Sequence, residues 1–170
     1  AAMDREGIVS FFILYDDDAS PFGRSLPPDG QLKPEESTFI DALVSRLKPT
    51  RNLIWCVAEE YAEGIDQPHA IRIAERVRQS DDRHHPIAIH QNHGTSFDFA
   101  GNAAFDQFAV QWNANTPAEL HAGVLAARKS AGPRVNINLA EFADSRIKDH
   151  ASAGTGIDLR RKLWACAMSG

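Results

Sequence analysis

Residues 52–64, NLIWCVAEEYAEG, open as a strand and stop at two adjacent acids, Glu59 and Glu60. The run from Leu53 to Ala58 is almost continuously apolar, short, and rich in β-branched and aromatic side chains, which is the pattern of a strand covered on both faces. Strands of that kind belong to parallel sheets flanked by helices. Working outward, GIVSFFILY (7–15), PIAIH (86–90), FAVQW (108–112) and RVNINLA (134–140) read as further strands. Amphipathic helices alternate with them. EESTFIDALVSRLK (35–48) repeats apolar residues at Phe39, Leu43 and Leu47 and at Ile40 and Val44, and QPHAIRIAERVRQ (67–79) does so at Ala70, Ile73, Ala74 and Val77. TPAELHAGVLAARKSAG (116–132) carries Thr116 as N-cap, Pro117 in the first turn and Glu119 to complete a capping box. GIDLRRKLWACAM (156–168) is a last helix, expected to pack Leu159, Leu163 and Met168. The fold class is therefore α/β with a parallel sheet.

A chain of 170 residues with 43% hydrophobic residues is long enough for one domain with a real core, and residues 1–170 read as a single α/β unit. Eighteen basic against 23 acidic residues leave a net charge of −5 with no basic stripe, so the phosphate attraction on which DNA and RNA binding depends is missing. No apolar run approaches the roughly 20 residues of a membrane helix, and the opening AAMDREG has no apolar centre of a signal peptide. Neither observation assigns a compartment. Cys56 and Cys166 are too few for a disulfide scaffold, lack metal-type spacing, and are expected as buried thiols.

Polar, titratable groups gather at the end of every strand: Asp16, Asp17 and Asp18, then Glu59 and Glu60, then His90, Gln91, Asn92 and His93, then Trp112 and Asn113, and finally Glu141. The carboxyl ends of parallel strands are where α/β folds bind ligands. An acid after a strand can also cap the next helix, but five polar clusters in succession favour a site. The irregular stretch 16–34 is too long for a plain connector and is a candidate binding loop.

The quoted strand with its paired acids, NLIWCVAEE, resembles the fourth strand of the clan-A glycoside hydrolases, (β/α)8 barrels in which an Asn-Glu pair ends that strand. HPIAIHQNHG, FDQFAVQ, RVNINLAEF and RRKLWACAMSG are similar to the fifth to seventh strands and following helix of the apiosidase-like barrels and their relatives associated with collagen-binding domains. The resemblance implies a partial TIM barrel, strands three to seven, with Glu60 at the acid/base position and Glu141 at that of the nucleophile. Glu59 stands where the clan has Asn. With Asp17, His90, His93, Gln111 and Trp112 it is expected to contact a carbohydrate substrate. No cofactor or metal is implied.

The chemistry gives reasons for two acids. A glycosidase needs one carboxyl protonated, to donate to the leaving oxygen, and another ionised, to attack the sugar or activate water. Neighbouring carboxylates repel and push one pKa upward, which suits the donor. Trp55, Tyr61 and Trp112 offer ring faces for a sugar, although Trp55 sits mid-strand and reads as core. Three other readings compete. HHPIAIHQNH gathers four histidines, so the His90/His93 region is a candidate metal site of a barrel hydrolase, although His84 and His85 precede the strand. The replacement of Asn by Glu59 leaves room for a non-catalytic carbohydrate-binding remnant. An open, flavodoxin-like sheet is the alternative fold. A barrel segment lacking its first, second and eighth strands would expose an apolar edge, so self-association or pairing with the remaining barrel segments is expected.

Overall fold

A computed structural model of the chain describes residues 2–142 and 156–169. These divide into two compact units, one holding residues up to 90 together with 102–106, the other holding 91–101 and the described residues from 107 onward.

The first unit begins with a short helix, α1 (Ala2–Arg5), which the sequence pattern does not reveal. Its Asp4 accepts hydrogen bonds from the amides of Arg51 and Asn52, closing the entry to the strand quoted above. Then come β1 (Ser10–Tyr15), α2 (Pro34–Leu47), β2 (Leu53–Ala58), α3 (Gln67–Ser80) and β3 (Ile87–His90). β2 pairs in parallel with β1 on one side and with β3 on the other. A flavodoxin-like sheet would place its first strand in the middle. The order found is sequential, β1-β2-β3, and is consistent with a barrel segment.

The core of this unit lies where α2 and α3 meet β2. Trp55, Cys56 and Val57 are fully buried with Ile40, Val44, Ala70, Ile73, Ala74 and Val77. The expected stripe on α3 is thus the buried one. On α2 only the Ile40/Val44 stripe is buried, extended by Glu36 in place of an apolar residue. Phe39, Leu43 and Leu47 instead line an apolar surface hollow with Phe12, because α2 turns the Glu36 face inward. The stretch 7–15 also departs from the expectation of cover on both faces, since Ile8 and Val9, just before β1, and Ile13 within it are exposed. Cys56 is buried as expected, and burial pushes its thiol up to about 12, which keeps it unreactive at neutral pH.

The second unit holds β4 (Gln107–Gln111), α4 (Pro117–Ala131), β5 (Asn136–Glu141) and α5 (Gly156–Ala167). β4 and β5 are parallel, with an irregularity between Val110 and Gln111. The capping box of α4 forms as read: Thr116 Oγ1 accepts from the Glu119 amide while the Glu119 carboxylate accepts from the Thr116 amide. Phe97 stacks on Phe108 with ring centres 4.7 Å apart, and Leu120 and Ala127 of α4 are fully buried. α5 packs on α4, but not with the face expected. Leu163 and Met168 are exposed, and Lys162 and Ser169 are the buried side chains. Just past the helix, Ser169 Oγ lies 2.7 Å from His121 Nδ1 of α4 and donates to the Ala165 carbonyl at 2.7 Å. Cys166 is half-buried. Among the described residues no helix is long and apolar enough to cross a membrane.

Candidate active site

In the first unit the carboxyl ends of three strands are knitted together by the turn that follows β2. The Glu59 amide donates to the Tyr15 carbonyl at the end of β1, 3.0 Å, and the Tyr61 amide donates to the His90 carbonyl at the end of β3, 3.1 Å. Between them, the Glu60 amide points at His90 Nδ1, 3.4 Å. Accepting there leaves the proton of a neutral His90 on Nε2. A Glu59 carboxylate oxygen lies within 4.8 Å of a His90 ring nitrogen. Glu59 and Glu60 are both half-buried.

The turn separates the two acids. Glu60 has a φ of 38°, in the left-handed region that non-glycine residues seldom adopt. Its carboxyl shares a hydrogen bond with Glu63, and that bond, with the charges of Glu60, Asp18 and Asp17, raises the Glu63 pKa. Glu60 is therefore engaged with the exposed acids of the turn, while Glu59 is the member of the pair beside His90. Asp17, expected at the site, is exposed and contributes to this negative field. Tyr61 is buried, and Trp55 is core, as its mid-strand place implied. His84 and His85 lie at the start of β3 and His90 at its end, so the four histidines of the motif do not converge.

A segment from residue 16 to 34 holds the turn from outside. The Arg24 guanidinium donates to the carbonyls of Ala62 and Glu63, and the Asp66 amide donates to the Arg24 carbonyl at 3.0 Å. Gly64 packs against the same segment so closely that a Cβ there would lie 2.5 Å from the Ala19 carbonyl oxygen. None of Arg24, Glu63 and Gly64 stands out in the sequence as a site residue.

In the second unit Glu141 closes β5. Its Oε2 accepts from Gln111 Nε2 at 2.9 Å, and its carbonyl accepts from the Trp112 amide at 2.8 Å. The irregularity at Val110 and Gln111 falls at this point; bulges recur beside active sites because they re-aim side chains. Gln111, expected to contact substrate, is buried and donates its side-chain amide to Glu141. His93 is exposed and its ring stacks on Trp112 with centres 4.8 Å apart and planes 25° from parallel. Trp112 Nε1 points at the Glu119 carbonyl, 3.4 Å away. A sugar stacking here would meet a His93–Trp112 pair rather than a bare indole.

Gly123 on α4 makes room for that indole: a Cβ at this position would lie 2.2 Å from Trp112 Nε1. Gly123→Ala gains about 1 kcal/mol of helix propensity but overpacks a rigid ring, at about 1–3 kcal/mol. With so short an approach the overpacking wins. The variant is expected to lose stability in urea denaturation and to change the near-ultraviolet dichroism of Trp112; a variant more stable than the parent would show that the indole yields freely.

No family model matches the chain, and no curated protein sequence does. Among solved structures it is similar to a putative glycoside hydrolase from Bacteroides vulgatus ATCC 8482, with a TM-score of 0.59 and 22% identity over 79% of this chain. The chain spans 25% of the length of that protein. At this identity the likeness is one of fold alone.

Proposed function

We propose that the chain belongs to a glycoside hydrolase of the clan-A, apiosidase-like kind that cleaves its carbohydrate substrate with retention, with Glu59 as acid/base and Glu141 as nucleophile. The observation that carries this reading is that each unit ends a parallel strand in a carboxylate with a defined polar neighbour, Glu59 beside His90 and Glu141 under the Gln111 amide. The fold likeness to the Bacteroides vulgatus protein, itself named a putative glycoside hydrolase, supports it. Glu59 is preferred to Glu60 because Glu60 is turned to Glu63.

In this mechanism protonated Glu59 donates to the glycosidic oxygen as the Glu141 carboxylate attacks the anomeric carbon. The bond to the leaving group breaks and a glycosyl ester forms on Glu141. Glu59, now ionised, takes a proton from water, which displaces Glu141 and restores both carboxyls. Gln111 holds the attacking carboxylate in one orientation. His93 and Trp112 supply the surface on which the sugar rests.

The test is turnover of a panel of nitrophenyl glycosides followed by NMR of the first-formed product. Release of nitrophenol with the anomeric configuration kept is the expected result. An inverted product would reassign Glu141 as the base that activates water. Binding of a sugar without turnover would favour the carbohydrate-binding reading.

A metal-dependent hydrolase is the second reading, favoured by one observation: Glu59 and His90 lie close enough to serve as two ligands of one cation. The first reading expects activity unchanged after dialysis against EDTA. Loss of activity on chelation, restored by zinc or another divalent ion, would favour the second.

A further inference from the structure

The first unit contains a buried polar cluster that neither the strand ends nor the hydrolysis uses. Glu36, on the inward face of α2, and His69, in the first turn of α3, are 1% and 2% exposed. His69 Nε2 lies 2.9 Å from both Glu36 oxygens, and the Tyr15 hydroxyl donates to Glu36 Oε1 at 2.9 Å. His69 Nδ1 lies 3.2 Å from the Arg24 carbonyl. Facing a carboxylate and a carbonyl, both ring nitrogens are placed to donate, as the two N–H groups of an imidazolium do. The same Arg24 carbonyl accepts from the Asp66 amide, and the Arg24 side chain clasps the carbonyls of Ala62 and Glu63, just after the Glu59–Glu60 turn.

We propose that Glu36, His69 and Arg24 are positioning residues for the Glu59–Glu60 turn, and that the protonation of His69 decides whether the segment at Arg24 holds that turn in place. What the turn is positioned for rests on the hydrolase reading; the clasp itself does not.

The groups facing His69 are Tyr15 from β1, Glu36 from α2, Arg24 from the segment between them, and Asp66 at the N-cap of α3. Burial pulls the imidazole pKa down, but the Glu36 hydrogen bond and charge, the Arg24 carbonyl and the Asp66 charge outweigh it, so the folded value stands above the usual one. Tyr15 stays a donor, because burial and the Glu36 charge raise its hydroxyl far above the usual range. A raised histidine stabilises the folded arrangement fully below the unfolded value near 6.5, and that contribution is lost as pH rises through the folded value. Deprotonation removes one N–H, and either Glu36 or the Arg24 carbonyl then loses its donor from the ring. Both acceptors keep a second donor, Tyr15 for Glu36 and the Asp66 amide for Arg24. The carboxylate is the stronger acceptor and holds the remaining proton on Nε2, so the Arg24 carbonyl then faces the Nδ1 lone pair, and the clasp loosens on the alkaline side.

The experiment follows the histidine and the clasp separately in the full chain. Nitrogen-15 NMR of His69 is expected to show protons on both ring nitrogens at neutral pH. Hydrogen exchange of the Asp66 amide, corrected for intrinsic rate, is expected to lose about tenfold protection for each unit by which His69 titrates above its unfolded value. The Trp55 amide, which donates to Pro86, should keep its protection over the same range. Glu36→Gln should move the transition to lower pH; if that variant does not fold, the titration of the parent chain decides alone. A His69 that is neutral at pH 7, Asp66 protection that is flat with pH, or Trp55 and Asp66 losing protection together would each overturn the proposal. None of these readouts requires turnover, so failure of the clasp and failure of the hydrolase reading remain distinguishable.

Discussion

Glu59→Gln is expected to lower kcat/KM for an aryl glycoside by about 10²–10⁴-fold, the usual contribution of a positioned general acid/base. Glutamine keeps the volume and the acceptor of the side chain and leaves the strand-end hydrogen bonds untouched, since those are made by the Glu59 amide and not by its carboxyl. What disappears is the transferable proton. The alkaline limb of the pH–rate profile, which reports the acid in its protonated form, should vanish with it. The loss should also depend on the leaving group, being smallest for a nitrophenol that departs without protonation. Glu60→Gln provides the contrast. Its carboxyl is occupied with Glu63, and the change is expected to cost a few-fold at most while lowering the pKa of Glu63. Glu141→Gln removes the attacking oxygen, and the Gln111 amide then faces another amide; no covalent intermediate should form. A Glu60→Gln chain without activity beside a fully active Glu59→Gln chain would transfer the acid role to Glu60, as the family resemblance implies.

The difference between those two acids shows where sequence reading stops. Alternation of short apolar strands with amphipathic helices placed every strand and each longer helix to within a few residues, because burial on one face imposes a period that local sequence must carry. The gathering of acids at strand ends was visible for the same reason, since the polar residue marks where the buried run stops. The choice between Glu59 and Glu60 was not visible. It depends on a left-handed φ at Glu60, set by amides that bond Tyr15 and His90, residues 44 and 30 positions away from Glu59 and Glu60. The clasp was hidden in the same way, although one signal was present: Glu36 lies on the Ile40/Val44 stripe of its helix, and an acid on an apolar stripe needs a buried partner. On α5 the apolar period points to Leu163 and Met168, whereas the buried side chains are Lys162 and, just past the helix, Ser169, which no apolar period can place.

At the other end of β3 stands a group whose loss should undo the fold without touching the strand-end acids. Asp81→Ala is expected to destabilise the chain by about 3–5 kcal/mol, the cost of removing one partner from a buried charged network, against a total stability of about 5–15 kcal/mol for a protein of ordinary size. The Asp81 side chain is 2% exposed and accepts from the Trp55 indole at 2.9 Å, from the Arg83 amide at 3.0 Å, from the His85 amide at 3.1 Å and from His85 Nδ1 at 2.8 Å. Trp55 is completely buried, so its N–H has no water to turn to when the carboxylate is gone. Asp81→Asn keeps one acceptor oxygen and should lose less. The two variants also differ in how they respond to acid. Burial alone would raise the Asp81 pKa, but the hydrogen bonds from Trp55, Arg83 and His85 outweigh it and hold the carboxyl below the usual aspartate range. A lowered carboxyl contributes stability that is present above its unfolded pKa and lost as pH falls through the folded value. The parent chain should therefore weaken through that acid range, and Asp81→Asn, already lacking the charge, should show a shallower decline. Urea denaturation followed by tryptophan fluorescence across the range measures both effects. Parallel slopes for parent and Asp81→Asn would mean that the charge on Asp81 does no work in the fold, and the loss in Asp81→Ala would then be one of packing and unpaired N–H groups alone.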